Sequence, residues 1–248
     1  MVIFSGKEKL ARIELTKQLY SIDTSGKEVV VVLLSGAFRV GDDDFSRESV
    51  FLDPAQGFSA SNTGIYNLEV EEYAEICVIE NESKYYTHAI DPLSFAHIEN
   101  TVPLVKIDTS ASKIKNVGHD NFLRKVTTLV DKETGLERLI VGETIKQKGN
   151  WSSWPPHKHD TYTPEEESEQ REVYMYKFDN PSGFGIQVLY DQDIEDSKVQ
   201  IVTNNREVKI EKGYHPVVSS PHSAMYYLWA LFGDNSFFRA REDMVYAK

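Results

Sequence analysis

The segment Gly149-Asn-Trp-Ser-Ser-Trp-Pro-Pro-His-Lys-His-Asp160 carries more structural information than any other part of this chain. Its two prolines block a helix and keep the backbone extended up to His157. On an extended segment, His157 and His159 point to one face and Lys158 to the other, because strand side chains alternate. Two imidazoles on one face of a sheet are the beginning of a divalent-metal site. A bare His-x-His also suits a polar surface strand, so the weight falls on the residues further along the chain.

Downstream, Arg171-Glu-Val-Tyr-Met-Tyr-Lys-Phe178 places Glu172, Tyr174 and Tyr176 on one strand face. A carboxylate opening a strand beside the histidines is positioned as a third ligand. Glu211-Lys-Gly-Tyr-His-Pro216 then supplies a turn glycine and His215. The ordered set His157, His159, Glu172 and His215 in a β-rich chain matches the metal-binding pattern of cupins, whose small barrels gather four such side chains inside the mouth. Three neutral imidazoles and one carboxylate leave a divalent cation with open positions for water or substrate oxygens. Zinc, manganese and iron are all chemically admissible.

Around this segment, helical periodicity is scarce and β-rich runs broken by Gly, Pro, Asn and Asp recur. Strands are expected near residues 11–22, 29–40, 48–52, 64–70 and 75–80 in the first half. The unbroken apolar run of 29–34 reads as a strand buried on both faces. In the second half, 126–130 and 137–145 flank a hairpin loop at 131–135, and 172–178 and 185–190 flank another at 179–183. Strands at 199–203, 207–210 and 223–232 complete the set. The glutamate-rich stretch 160–170 reads as a mobile loop or short helix, and the small polar residues of 106–121 as a linker. Two sets of short strands predict an all-β fold, a duplicated sandwich or jelly roll with domains 1–112 and 113–248; the cupin-like ligand order and the family resemblance given below make the expected form a duplicated cupin, a bicupin.

Lys plus Arg number 27 against 39 Asp plus Glu, a net charge of −12. Nucleic acid is thereby disfavoured as a partner, since phosphate neutralisation needs a basic surface. No apolar run is long enough to span a bilayer, and the start of the sequence has no signal-peptide pattern. The one cysteine, Cys77, lies in an apolar run and can form no internal disulfide. The cytoplasm is the expected compartment.

The segment 149–160 also resembles the signature of the 5-deoxyglucuronate isomerase family, the bicupins of bacterial myo-inositol catabolism. Leu139-Ile-Val-Gly-Glu-Thr-Ile145, Gly183-Phe-Gly-Ile-Gln187, Lys212-Gly-Tyr-His-Pro-Val217, Tyr226-Tyr-Leu228 and Gly118 through Val126 extend the likeness. The resemblance implies a metal-dependent aldose–ketose isomerase of a deoxy-uronate, a small sugar acid. Proton transfer between C1 and C2 would then fall to His222, Tyr174 or Tyr226, and the substrate carboxylate to Arg124 or Lys158. The related 4-deoxy-5-keto-uronate isomerases share the ligand order, so another uronate is the alternative substrate. A cupin dioxygenase and a non-catalytic sugar-binding cupin are alternatives of other classes. Where the family has an arginine after the Gln187 position, this chain has Val188, which bears on how a carboxylate is held. The first half has no His-x-His, and its His88 and His97 follow its strands. It is expected to be a metal-free cupin that buttresses the second half or forms a homo-oligomer interface.

Overall fold

The computed structural model describes residues 2–3, 8–83, 102–110, 113–234 and 238–247. The chain folds as two compact units, Met1–Asp108 with Val130–Ile140, and Thr109–Leu129 with Val141–Lys248. The stretch 130–140 thus belongs with the first unit although it lies beyond residue 112.

Among the described residues of the first unit, seven strands are formed: β1 (Val2–Ile3), β2 (Lys9–Asp23), β3 (Lys27–Val40), β4 (Asp43–Arg47), β5 (Gln56–Ser61), β6 (Ile65–Glu82) and β7 (Val102–Lys106). They form one sheet ordered β1-β2-β6-β3-β5-β7, with β4 also on β3. Val29, Val30, Val31, Val32, Leu33 and Leu34 are each at most 1% exposed, as an unbroken apolar run in a central strand requires. Leu15, Ile22, Phe38, Phe45 and Phe58 fill the interior, and the Phe38 and Phe45 rings stack at 4.8 Å. The buried Glu28 carboxylate accepts the backbone N–H groups of Glu137 at 2.7 Å and Arg138 at 2.9 Å. Burial nevertheless pushes it up to about 7.

Two expectations for this half are corrected. The strand expected at 48–52 is a turn, and the strand lies at Asp43–Arg47 instead. Asp53 Oδ2 accepts the N–H groups of Glu48 at 2.6 Å and Ser49 at 3.2 Å, so a side chain takes the donors that a ladder would use. The separate strands at 64–70 and 75–80 are one continuous strand, β6, paired with β2. His88 and His97 lie outside the described residues.

The second unit has β8 (Ile114–Val117), β9 (Arg124–Val130), β10 (Leu139–Lys146), β11 (Trp151–Ser152), β12 (His157–Lys158), β13 (Asp160–Thr163), β14 (Glu167–Phe178), β15 (Phe184–Leu189), β16 (Lys198–Thr203), β17 (Glu207–Ile210), β18 (Val217–Ser219), β19 (Met225–Gly233) and β20 (Arg241–Glu242). One sheet runs β13-β14-β19-β10-β9-β8 with β17 on β14; a second runs β11-β18-β15-β16; β12 pairs with β20. Tyr174, Tyr176, Val202, Val217, Met225 and Tyr227 meet in its core. Among the described residues the only helical pieces are three-residue 3-10 turns, and no helix is long and apolar enough to cross a membrane.

The glutamate-rich stretch is neither a loop nor a helix but the hairpin β13–β14. Glu167, 0% exposed, accepts the N–H groups of Asp160 and Thr161 at 2.9 and 3.0 Å, which turns an acidic side chain into an internal brace. The expected linker 106–121 contains β8, paired antiparallel with β9.

Candidate metal centre

Three segments of the second unit deliver the imidazoles and the carboxylate. His157 sits in β12, and His159 lies between β12 and β13. The carbonyl of His159 accepts the N–H of Gln170 at 2.8 Å, which lays the histidine segment beside the start of β14, where Glu172 stands. His215 follows Gly213, whose φ is +88°; a Cβ there would meet the Tyr190 carbonyl oxygen at 2.4 Å. The buried Gln187 amide donates to the carbonyls of His215 at 2.6 Å and Pro216 at 3.1 Å. Asp160 ties the two ligand-bearing stretches together: Oδ2 accepts Gly213 N–H at 2.6 Å, and Oδ1 accepts Lys158 Nζ at 2.7 Å. Burial opposes its charge, but these donors hold the carboxyl at about 2.

One ligand atom from each of His159, Glu172 and His215 lies within 4.8 Å of the others. The Nε2 atoms of His159 and His215 stand 3.3 and 3.2 Å from the same oxygen, Glu172 Oε2. His157 is outside this tight trio, yet its ring centroid is 4.9 Å from that of His215 and 6.3 Å from that of His159. Each Nδ1 faces a backbone carbonyl: Pro155 at 3.2 Å for His157, Gln170 at 3.0 Å for His159, and Gly213 at 2.9 Å for His215. A carbonyl only accepts, so each Nδ1 carries a hydrogen; the Nε2 atoms of His157 and His215 are then free to present a lone pair, and that of His159 does so once the proton it shares with Glu172 leaves. Backbone acceptors behind imidazoles are the arrangement that orients metal-binding histidines.

The electrostatics agree. Burial, then the neighbouring histidines, push His157 down to about 3, so its ring is neutral at pH 7. Burial would raise the Glu172 carboxyl, but the hydrogen bond from His159 and the close approach of the His215 imidazole outweigh it and hold the group at about 2. His159 is raised, because Glu172 overcomes the desolvation that opposes its charge. The His215 Nε2 atom is buried without a hydrogen bond of acceptable geometry, even at its 3.2 Å separation from Glu172. A buried nitrogen lone pair left in this way is what a cation would satisfy, and the donor set fits a divalent ion.

His157, His159 and Glu172 line a cavity of about 370 Å³ in the second unit, with His215 fully buried behind them. Of the other residues singled out in the sequence, Tyr174 and Arg124 line it. Tyr174 shares a 2.9 Å hydrogen bond with Ser153, and burial raises its phenol well above the ordinary value. Tyr226 is fully buried in β19, but the residues of that strand facing the cavity are Tyr227, Trp229 and Leu231, so alternation turns Tyr226 to the other side. His222 is exposed in the turn before β19, its Nε2 2.8 Å from Asn180 Nδ2. Lys158 is paired with Asp160 and, at 3.3 Å, with Glu167, and does not line the cavity. Val188 alternates with the inward Gln187 and pairs across β16 with Val199, which is 59% exposed; position 188 therefore belongs to the outer face of its sheet, away from the histidines. Larger hollows of about 710 and 550 Å³ lie on the first unit around Gly36 and Tyr73, with no histidine among the described residues that line them.

Two facing antiparallel sheets with histidines turned inward define a cupin barrel, and solved structures share this architecture. A crystal structure of an IolB-like protein from Salmonella typhimurium superposes with a TM-score of 0.83 at 24% identity, covering 97% of this chain and 89% of the other. A structure of oxalate decarboxylase superposes at 0.58 with 10% identity, over 96% of this chain and 72% of the other. The chain belongs to the KduI/IolB family, whose model matches residues 9–248. Among curated relatives, a 5-deoxy-glucuronate isomerase from Halalkalibacterium halodurans is 30% identical over 222 residues, 86% of this chain and 77% of its own length. Another of that description, from Geobacillus kaustophilus, is 34% identical over 135 residues, 54% of this chain and 49% of its own.

Proposed function

We propose that this chain is a metal-dependent 5-deoxy-glucuronate isomerase, converting an open-chain aldose acid to its 2-ketose. The observation that carries the proposal is the convergence of backbone-locked imidazoles and Glu172 on a cavity large enough for a small sugar acid. Membership of the family and the names of its curated relatives supply the reaction.

His157, His159, Glu172 and His215 would hold the cation, zinc or manganese in the first instance and iron as a further candidate. Such an ion supplies a Lewis acid for the sugar carbonyl. In the isomerisation C2 loses a proton, C1 gains one, and the O2 hydroxyl proton passes to O1. Tyr174 is the proton-transfer candidate from the sequence that faces the cavity, and Tyr227 offers a second phenol there. Burial raises both phenols, which keeps them protonated at neutral pH, so they act by donating a hydrogen bond or proton to sugar oxygens. Arg124 lines the same cavity, which supports it as the group that would bind the substrate carboxylate. The first half would be a metal-free cupin domain. The cytoplasm is the compartment that goes with this reading, and a single, buried cysteine is consistent with it.

Turnover of 5-deoxy-glucuronate, followed by proton NMR in D2O with metal-loaded and chelator-treated protein, tests this reading. Ketose formed only with metal, with deuterium taken up at C1, is the expected result. No conversion by folded, metal-loaded protein would overturn it.

A further inference from the structure

The cavity has two cationic side chains among its described lining residues, and the sequence pattern drew attention to one alone. In the β8–β9 ladder, Lys115 stands opposite Val126 and Val117 opposite Arg124. All four residues line the cavity. The two cations therefore occupy opposite corners of a cross-strand square, a diagonal of roughly 7–8 Å that long side chains readily close. Arg124 gives one N–H to the Phe122 carbonyl at 3.1 Å, and neither it nor Lys115 pairs with a carboxylate among the described residues. In a chain with 39 acidic and 27 basic side chains, two cations facing one cavity without acidic partners form a local field opposed to the overall one. Lys158, by contrast, is neutralised by Asp160 and Glu167. His157, His159 and Glu172 come to the lining from other segments, β12 to β14.

We infer that Lys115 and Arg124 together seat the substrate carboxylate and so fix which end of the sugar acid meets the histidines, an inference that rests on the isomerase reading. An open-chain uronate carries its charge and its carbonyl at opposite ends. Anchoring the charge on β8 and β9 directs the carbonyl toward His159, Glu172 and His215, where the chemistry is. Lys115, exposed on the edge strand of its sheet, supplies charge rather than packing. A guanidinium and an ammonium can share one carboxylate, the first through a planar fork and the second as a point charge.

The test uses the metal-loaded full chain with Lys115→Met, Lys115→Arg and Arg124→Lys. Steady-state kinetics are measured on 5-deoxy-glucuronate and on its neutral counterpart, with CH2OH in place of the carboxylate. Lys115→Met is expected to raise KM for the acid about tenfold and to lower the acid-over-neutral selectivity by about the same factor, with Lys115→Arg restoring most of both. Unchanged KM and unchanged selectivity in Lys115→Met would overturn the inference. A second readout separates it from the isomerase reading: calorimetric binding of the reduced, unreactive acid to wild type and Lys115→Met. If wild type fails to turn over the uronate, the isomerase reading falls. Weaker binding of the reduced acid by Lys115→Met then still supports the carboxylate seat, and equal binding removes it.

Discussion

The two units run similar antiparallel strands around very different interiors. In the first, Leu15, Val31, Leu33, Phe38, Phe45 and Phe58 close the space with carbon. In the second, the same kind of inward position is given to His215, Glu172, Gln187, Tyr174 and Lys146, all buried, beside a cavity of about 370 Å³. Burying such groups is costly unless each has a partner. The second unit provides them for all but the His215 Nε2: Lys146 Nζ reaches the Val217 carbonyl at 2.7 Å, Gln187 spans two carbonyls, and Tyr176 donates to Gln187. Strand order makes the vessel, while the residues on its inner face decide whether it is a filled support or a reaction site.

Removing a donor from the second unit attacks this contrast most directly. His159→Ala or His215→Ala should lower kcat/KM by about a thousandfold or more and abolish stoichiometric metal, with far-UV circular dichroism unchanged. Retained activity in a metal-free variant would refute the site. The matching change in the first unit, Leu33→Ala, should cost about 2–5 kcal/mol in denaturant unfolding yet leave specific activity of the folded fraction intact. A loss of kcat instead would mean that the first interior takes part in the chemistry.

Acidity should move the two units in opposite directions. In metal-free protein, His157 and Glu172 have folded values of about 3 and about 2, below their ordinary 6.5 and 4.5. For these two groups the unfolded chain binds more protons, so their contribution to the second unit's stability is lost as pH falls from about 6.5 toward 2, while the raised His159 acts in the opposite sense. Glu28 is the reverse case, with a folded value of about 7 above its ordinary 4.5. Here the folded chain holds the extra proton, so the first unit loses stability as pH rises from about 4.5 through 7. Melting curves across this range, with Glu28→Gln flattening one slope and His157→Gln the other, check both signs; a common slope for the two variants would refute the contrast. The smallest expected effect is that of Ser153→Ala, which frees the Tyr174 hydroxyl and should reduce kcat about tenfold or less, at a stability cost of about 1 kcal/mol. An unchanged kcat would place Tyr174 outside the chemistry.

Much of this was legible because ligand chemistry leaves strong marks. His157 and His159 with one residue between them, Glu172 at the head of an alternating strand and His215 after a turn glycine stand close together in the second unit. The features that stayed hidden depend on register and long-range pairing. Tyr226 and Tyr227 are identical letters on opposite faces of β19, and the pairing with β14 decides which one sees the cavity. Both faces are buried, so hydrophobic alternation gives no warning. Lys115 lay within a polar stretch whose composition reads as linker, and its meaning appears once β8 pairs with β9. The 160–170 stretch misled because its glutamates suggest solvent, whereas Glu167 spends its charge on Lys158 and two backbone N–H groups. Position 188 misled through parity, since one residue's shift exchanges the inner and outer faces.

The carbonyls of Pro155, Gln170 and Gly213 behind the three imidazoles govern how this site tolerates change. Main-chain oxygens cannot be mutated away. A sequence can drift around the histidines, exchanging side chains at 155, 170 or elsewhere, and the rings will keep their tautomers and aim for as long as the local backbone path survives. Distant relatives can therefore retain the same chemical apparatus while sharing few of the residues that surround it, with the turn glycine at 213, where a Cβ would strike the Tyr190 carbonyl, as the place where such drift must stop.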